Sequence, residues 1–393
     1  MQKSFLLLLL LAALSASVGL TANPTLPTAA GEYRLVIEGF DWGPGVSKVI
    51  LTLDEAPPAD PPAQDFKVLV EKSSDLGDIP AFMAQGEREV LQAYRSDANG
   101  RRLETGTHLT LTLAIAPFRP LGLPIHYLNG RNSWVDYRMV VTQASTQLVW
   151  DREAGRTSPL LDKFDLSGRF RHGDISLTYA AFRPENRPGR APLIIWLHGG
   201  GEGGTDPSIP VIANKAVHYA SDEIQTLFEG AHVLVPQAPT FWMNSVEGGY
   251  TTGASEDIYH EALMALIRQY VDSHPDVDPA RIYVGGCSNG GYMSLKLILQ
   301  HPDYFAAAFI SALAYQDRHI TDEQIRRIRH VPIWFVHSKD DRVTKPGETV
   351  VPLYHRLKAV DAPNVHFSFY DHVVDLTGQY GGTDFHYDGH WSW

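Results

Sequence analysis

Arg281-Ile-Tyr-Val-Gly-Gly-Cys-Ser-Asn-Gly-Gly291 decides how this chain is read. Ile282, Tyr283 and Val284 follow Asp278-Pro279 and predict a short buried strand; Tyr292 to Gln300 predicts a helix. Between them, Gly286-Cys287-Ser288-Asn289-Gly290 is a G-x-S-x-G pentapeptide in the strand–turn–helix setting that presents a serine as a nucleophile. The glycines have a steric reason. The serine of such a turn sits in a strained backbone conformation, and its neighbours approach so closely that side chains would clash. The helix that follows points its first N–H groups towards the serine and favours negative charge beside it. The pentapeptide alone is a weak signal; its flanking elements and its partners downstream give it weight.

The chain has 393 residues, 44% hydrophobic and 20% charged, which leaves room for two domains. Its formal net charge is −12 and no basic cluster interrupts it, which argues against nucleic acid or anionic membrane surfaces as partners. Lys3 precedes an apolar run from Phe5 to Leu14, followed by Ser15, Ala16, Ser17 and Gly19. That is the make-up of a secretory signal peptide over residues 1–22, too short for a comfortable membrane span, with cleavage expected between residues 15 and 22. A secreted or periplasmic protein without a stable membrane anchor is the expectation. Cys287 is the single cysteine, so no intramolecular disulfide forms, and it reads as a small buried hydrophobe rather than a second nucleophile.

Pro24 to Gly31 is a linker without periodicity. From Tyr33 to about Thr146 the pattern has period two: Tyr33, Leu35, Ile37; Val49, Leu51, Leu53; Phe66, Val68, Val70; Leu109, Leu111, Leu113, Ile115; Val135, Tyr137, Met139, Val141. Pro57-Pro58, Pro61-Pro62, Asn99-Gly100 and Asn129-Gly130 separate these runs. The pattern predicts an all-β sandwich of immunoglobulin type over residues 31–146. Gln147 to about Asp165 is polar and reads as a connection. Over residues 155–393 strand and helix patterns alternate, with strands at Ile175–Phe182, Leu193–Leu197, Ala231–Val235, Ile282–Val284, Phe305–Ile310, Ile333–Val336 and Val365–Tyr370. A helix is expected from a Ser255 N-cap to Ser273, and another near Val350–Leu357. Such alternation predicts one α/β domain with a mostly parallel sheet.

A serine hydroxyl needs a base to take its proton, and the base needs a carboxylate to orient it. Directly after the late strand Ile333–Val336 comes His337-Ser-Lys-Asp-Asp341, where Asp340 and Asp341 compete for the role of acid, Asp341 being favoured. For the base the C-terminal segment offers His372, His386 and His390, and Gly389-His390 lies in a Gly/aromatic loop after the last strand. His386 and His390 are four residues apart, but no helix signal supports a metal pair there, and no metal is expected. An oxyanion needs backbone N–H donors. Asn289, after the serine, supplies one; a second is expected from Leu197-His-Gly-Gly-Gly-Glu-Gly-Gly204, which no G-K-[ST] follows as a phosphate loop would require.

On these residues, the chain resembles α/β-hydrolase esterases related to polyhydroxybutyrate depolymerases and feruloyl esterases. It is most similar to a secreted "predicted peptidase" group with an N-terminal immunoglobulin-like domain. The resemblance implies Ser288 as nucleophile, Asp341 as acid and His390 as base, with Gly200 or Gly201 and Asn289 as oxyanion donors. Such hydrolases often continue past the histidine into a closing helix; here Trp391 and Trp393 are expected to pin the His390 loop by burial. Phe241, Trp242 and Tyr292 are candidates to line an acyl or aryl pocket. The expected activity is hydrolysis of small or polymeric esters without metal or organic cofactor. The rivals are a serine peptidase of prolyl-oligopeptidase type, an acyltransferase, and a non-catalytic binding protein on the same scaffold.

Overall fold

The computed structural model describes residues 30–185 and 189–393. The expected signal peptide, residues 1–22, lies outside the described residues.

The period-two region forms ten strands: β1 (Ala30–Phe40), β2 (Gly43–Thr52), β3 (Phe66–Ser73), β4 (Gln85–Arg88), β5 (Val90–Ser96), β6 (His108–Leu113), β7 (Ile125–Leu128), β8 (Arg131–Trp134), β9 (Asp136–Gln143) and β10 (Val149–Thr157). Eight of them run in the order β4-β3-β9-β10-β1-β2-β6-β5. The ribbon folds over so that Leu35, Val49, Leu51, Leu109 and Leu111 share one core with Val68, Val70, Tyr137, Met139 and Val141. Alternation explains the two layers. In β3, for example, every second residue is buried and the residues between are exposed.

The expected connection at 147–165 is corrected. Residues 149–157 are strand β10, paired antiparallel with β9 and parallel with β1. Its polar sequence hides it, because Trp150 alone is buried there, with its Nε1–H donating to the Thr52 carbonyl at 2.8 Å. β7 and β8 form a separate hairpin turned at Asn129 and Gly130, both at positive φ (51° and 83°).

The second half forms an eight-stranded sheet from β11 (Asp165–His172), β12 (Ile175–Phe182), β13 (Ala191–Leu197), β14 (His232–Gln237), β15 (Val277–Cys287), β16 (Ala307–Ser311), β17 (Ile333–Ser338) and β18 (Val365–Tyr370). Its order is β11-β12-β14-β13-β15-β16-β17-β18, antiparallel at β11-β12-β14 and parallel from β14 to β18. β13 and β14 are buried at every residue, as expected of parallel strands covered on both faces. After the single turn α1 (Ala81–Ala84), the helices are α2 (Ser208–Ala213), α3 (Asp222–Leu227), α4 (His260–Ser273), α5 (Asn289–Gln300), α6 (Asp322–Ile328) and α7 (Val350–Ala359). α4 begins at His260 rather than after Ser255: Asp257 Oδ1 accepts the N–H groups of Tyr259 and His260 and takes the capping role.

Helices α4 to α7 cover one face of this sheet through Leu263, Leu295, Ile325 and Leu353. The other face meets the sandwich. Trp196, Val233, Val235 and Cys287 from the sheet, with Val211, Ile212 and Val217, belong to the same core as Leu35, Val46 and Val49 of the sandwich. The junction is close. A Cβ on Gly39 of β1 would lie 2.8 Å from Val217 Cγ2. Farther along the same face, Trp334 of β17 stays about half exposed.

Candidate active site

β15 runs straight into the turn read from the sequence, and α5 leaves it. Ser288 sits between them at φ 54°, ψ −113°, a conformation that costs a non-glycine residue roughly 1–3 kcal/mol. The surroundings impose it: Ser288 N–H donates to the Ser311 carbonyl at 3.0 Å, and the Ser288 carbonyl accepts from Tyr292 N–H at 2.9 Å. The end of β13 presses on this turn. A Cβ on Gly290 would collide with the Leu197 carbonyl oxygen, and one on Gly286 would lie 2.5 Å from the same atom, so only glycine fits either place. Cys287 is fully buried, and burial pushes its thiol well above the ordinary value, away from the reactive thiolate.

β17 delivers the next group. Asp341, in the turn after it, has a fully buried side chain. Its Oδ2 accepts from His390 Nδ1 at 2.9 Å, His337 Nε2 at 3.0 Å and Thr344 Oγ1 at 2.7 Å. Its Oδ1 accepts the N–H groups of Val343 and Thr344 at 2.8 and 3.0 Å. Burial raises the pKa of this carboxyl, but the hydrogen bonds from His337, His390 and Thr344 outweigh it and hold Asp341 well below the usual carboxylate range. With Nδ1–H given to Asp341, His390 keeps Nε2 as an acceptor. Trp393 packs edge-on against the His390 ring at 5.6 Å. Asp340 pairs instead with His372 Nδ1 at 2.7 Å, and His386 stacks on His372 at the surface. A Cβ on Gly389 would collide with Asp340 Oδ1, so the approach of the His390 loop requires that glycine.

The glycine turn after β13 is fixed from several sides. His198 Nδ1–H donates to the Gly199 carbonyl at 2.7 Å and its Nε2 accepts from Ala238 N–H at 3.2 Å, which defines a neutral ring. Burial pushes its pKa down to about 4. Gly199 N–H donates to Asn214 Oδ1 at 3.1 Å, and Gln237 Nε2 donates to the Glu202 carbonyl at 2.9 Å. The N–H groups of Gly200, Gly201 and Asn289 have no hydrogen-bond partner among the described residues.

Ser288, His390, Gly200 and Gly201 line one cleft of about 420 Å³. Ser288 Oγ and His390 make no hydrogen bond in this conformation; catalytic contacts of this kind often tighten only with substrate present. Phe241 lines the cleft and packs edge-on against Tyr250 at 4.9 Å. The expectation for the other two aromatics is corrected. Trp242 and Tyr292 are fully buried, Trp242 beside His198 and Tyr259, Tyr292 stacked on Tyr315. Their large apolar area is used in the core of the sheet rather than at its mouth.

Sequence reasoning missed the remaining walls. Asp41, Trp42, Tyr127 and Asn132 come from the sandwich, and Gly199, Glu202, Ala213, Asn214, Val343, Trp391 and Trp393 complete the lining. The Asn129-Gly130 turn was the available signal, since it marks the β7–β8 hairpin that carries Tyr127 and Asn132 to the cleft. Elsewhere, Glu256, Asp257 and His260 have metal-ligand chemistry, but Lys296 Nζ sits 2.6 Å from Glu256 and Asp257 caps α4.

Residues 32–153 match the esterase Ig-like N-terminal domain family, and residues 242–325, which contain Ser288, match the prolyl oligopeptidase family. A solved structure described as a thermostable esterase superposes with a TM-score of 0.75 at 23% identity, covering 92% of this chain and 94% of that one. The fold is that of an α/β-hydrolase behind an immunoglobulin-like sandwich, and one family match lies in each of the two parts. The chain is also similar to an acylaminoacyl peptidase in complex with Z-Gly-Gly-Phe-chloromethyl ketone, with a TM-score of 0.41 at 16% identity over 75% of this chain and 53% of that one. For a ferulic acid esterase the TM-score is 0.38 at 18% identity, over 50% and 84% of the two chains. No curated protein matches this chain at a significant level.

Proposed function

We propose that this hydrolase is a serine carboxylesterase, with Ser288 as nucleophile, His390 as base and Asp341 as the orienting acid. The observation that carries the reading is the His390 imidazole, tied through Nδ1 to the buried Asp341 at 2.9 Å, on the same cleft as Ser288. Ser288 Oγ attacks the ester carbonyl carbon while its proton passes to His390 Nε2. The carbonyl oxygen, now negative, takes hydrogen bonds from the N–H groups of Asn289 and of Gly200 or Gly201; one such donor is worth roughly 3 kcal/mol of barrier. The tetrahedral intermediate collapses, the C–O bond to the alcohol breaks, and His390 returns the proton to the leaving oxygen. Water, deprotonated by the same imidazole, then releases the acid and restores Ser288.

The match of residues 242–325 to the prolyl oligopeptidase family supports a second reading, cleavage of a peptide bond by the same groups. Nitrophenyl esters and peptide anilides separate the two. The esterase reading expects turnover of the ester, labelling by a fluorophosphonate probe, and loss of both in Ser288→Ala. Anilide turnover exceeding that of the ester favours the peptidase, and no labelling of the folded protein overturns both. Placement outside the cytoplasm is likewise proposed from the apolar run Phe5–Leu14. N-terminal sequencing of the exported protein should begin between residues 16 and 23; a cytoplasmic protein with Met1 retained overturns it.

A further inference from the structure

The glycine turn rests on a carboxyl group that the proposed reaction does not use. Glu202 is 5% exposed and lies against Gly199, where a Cβ would be 2.9 Å from its Oε2. Its Oε1 accepts from Asn132 Nδ2 at 2.8 Å, and Asn132 belongs to β8 of the sandwich. Burial raises the pKa of Glu202, with the side chains of Asn132 and Asn214 opposing. The hairpin also touches the turn itself: a Cβ on Gly201 would lie 2.8 Å from Asn132 Nδ2 and 3.4 Å from Tyr127 Cε2. A separate bond, Trp134 Nε1 to Ser208 Oγ at 2.8 Å, fastens the hairpin to α2 away from the turn.

We propose that Asn132 and Glu202 are positioning residues for the N–H donors of Gly200 and Gly201, so that a side chain of the sandwich sets the oxyanion site of the hydrolase. The proposal rests on the serine-hydrolase reading above. Glu202 lies inside the turn whose N–H groups must converge on one oxygen, and a displacement of about 1 Å in such a site costs on the order of 10²-fold in rate. Asn132 acts through Glu202 and fixes where its carboxyl sits. Removing the amide leaves a buried carboxyl short of a donor, and the turn must shift to find another or admit water. Loss of alignment weakens binding of the transition state more than that of the substrate, so kcat falls while KM holds.

The test compares full-length variants in nitrophenyl ester turnover and in the rate of phosphonylation by a fluorophosphonate, with folding followed by circular dichroism. Asn132→Ala is expected to lower kcat and the phosphonylation rate by roughly 10- to 100-fold, with KM changed less than about threefold. Trp134→Phe, which loosens the hairpin without touching the turn, is expected to leave both rates within about threefold. Asn132→Asp sets two carboxyl groups face to face and should be slower still. Adding Glu202→Gln to it restores an N–H···O bond of reversed polarity and should recover most of the rate, which a general loss of stability would not do. If Asn132→Ala does not fold, Asn132→Ser takes its place, being too short to reach Glu202. Wild-type rates in Asn132→Ala, or no recovery in the double variant, overturn the proposal while wild-type labelling leaves the hydrolase reading intact. Wild-type protein that takes no label overturns the hydrolase reading itself.

Discussion

Two carboxylate–imidazole pairs stand side by side beyond β17, and they differ in everything except chemistry. Asp341 is fully buried and accepts five hydrogen bonds, from three side chains and two backbone N–H groups. Asp340, its neighbour in the chain, keeps about a third of its side chain in water and bonds His372 and Ser338. The ion pair as such is therefore no guide to function. What separates the two is how completely the surroundings fix the carboxylate, since an over-determined acid holds its imidazole in one tautomer and one orientation, while an exposed one does neither.

The sharpest way to break this contrast is to neutralise each acid. Asp341→Asn should lower kcat for ester hydrolysis by roughly 10⁴-fold, because the amide no longer holds His390 with its Nε2 free, and Asp340→Asn should stay within about threefold. Equal losses in steady-state kinetics would show that the two pairs are not distinct. A smaller effect is expected at His337, whose Nε2 also serves Asp341. His337→Phe leaves a buried carboxylate short of one donor and should cost about 1–3 kcal/mol in urea unfolding, against less than about 0.5 kcal/mol for His372→Ala.

Acid titration sharpens the comparison further. Asp341 is depressed in the folded protein, so it contributes stability that is present above the unfolded-state value of about 4 and lost as pH falls through the folded one. Asp341→Asn should therefore flatten the fall in melting temperature between neutral and acid pH more than Asp340→Asn does. Glu202 has the opposite sign. Its pKa is raised, so its contribution is fully present below the unfolded-state value of about 4.3 and is lost as pH rises through the folded one. Glu202→Gln should accordingly raise the melting temperature more at about pH 8 than at about pH 4. A pH-independent change in either variant would contradict the direction of these shifts.

Much of the hydrolase sheet was legible because parallel strands buried on both faces are apolar runs: Leu193 to Leu197 and Val233 to Val235 lie in β13 and β14, where the composition puts them. Ser288 was legible because glycines at 286 and 290 are forced by the Leu197 carbonyl. β10 was not, because one buried tryptophan leaves no alternation to read. Trp242 and Tyr292 misled because an aromatic side chain looks the same in a core as in a pocket, and only the burial of its neighbours decides. Asn132 was out of reach for a different reason. Its partner Glu202 is 70 positions away in another domain, and no local period encodes that meeting.

The core shared by Leu35 and Val49 with Trp196, Val233 and Val217 has a consequence for how this molecule can be divided. Neither half can be cut free without laying bare oily surface that the other half normally keeps dry. The two should melt together in a single calorimetric transition, and lineages that inherit one should be obliged to inherit its companion.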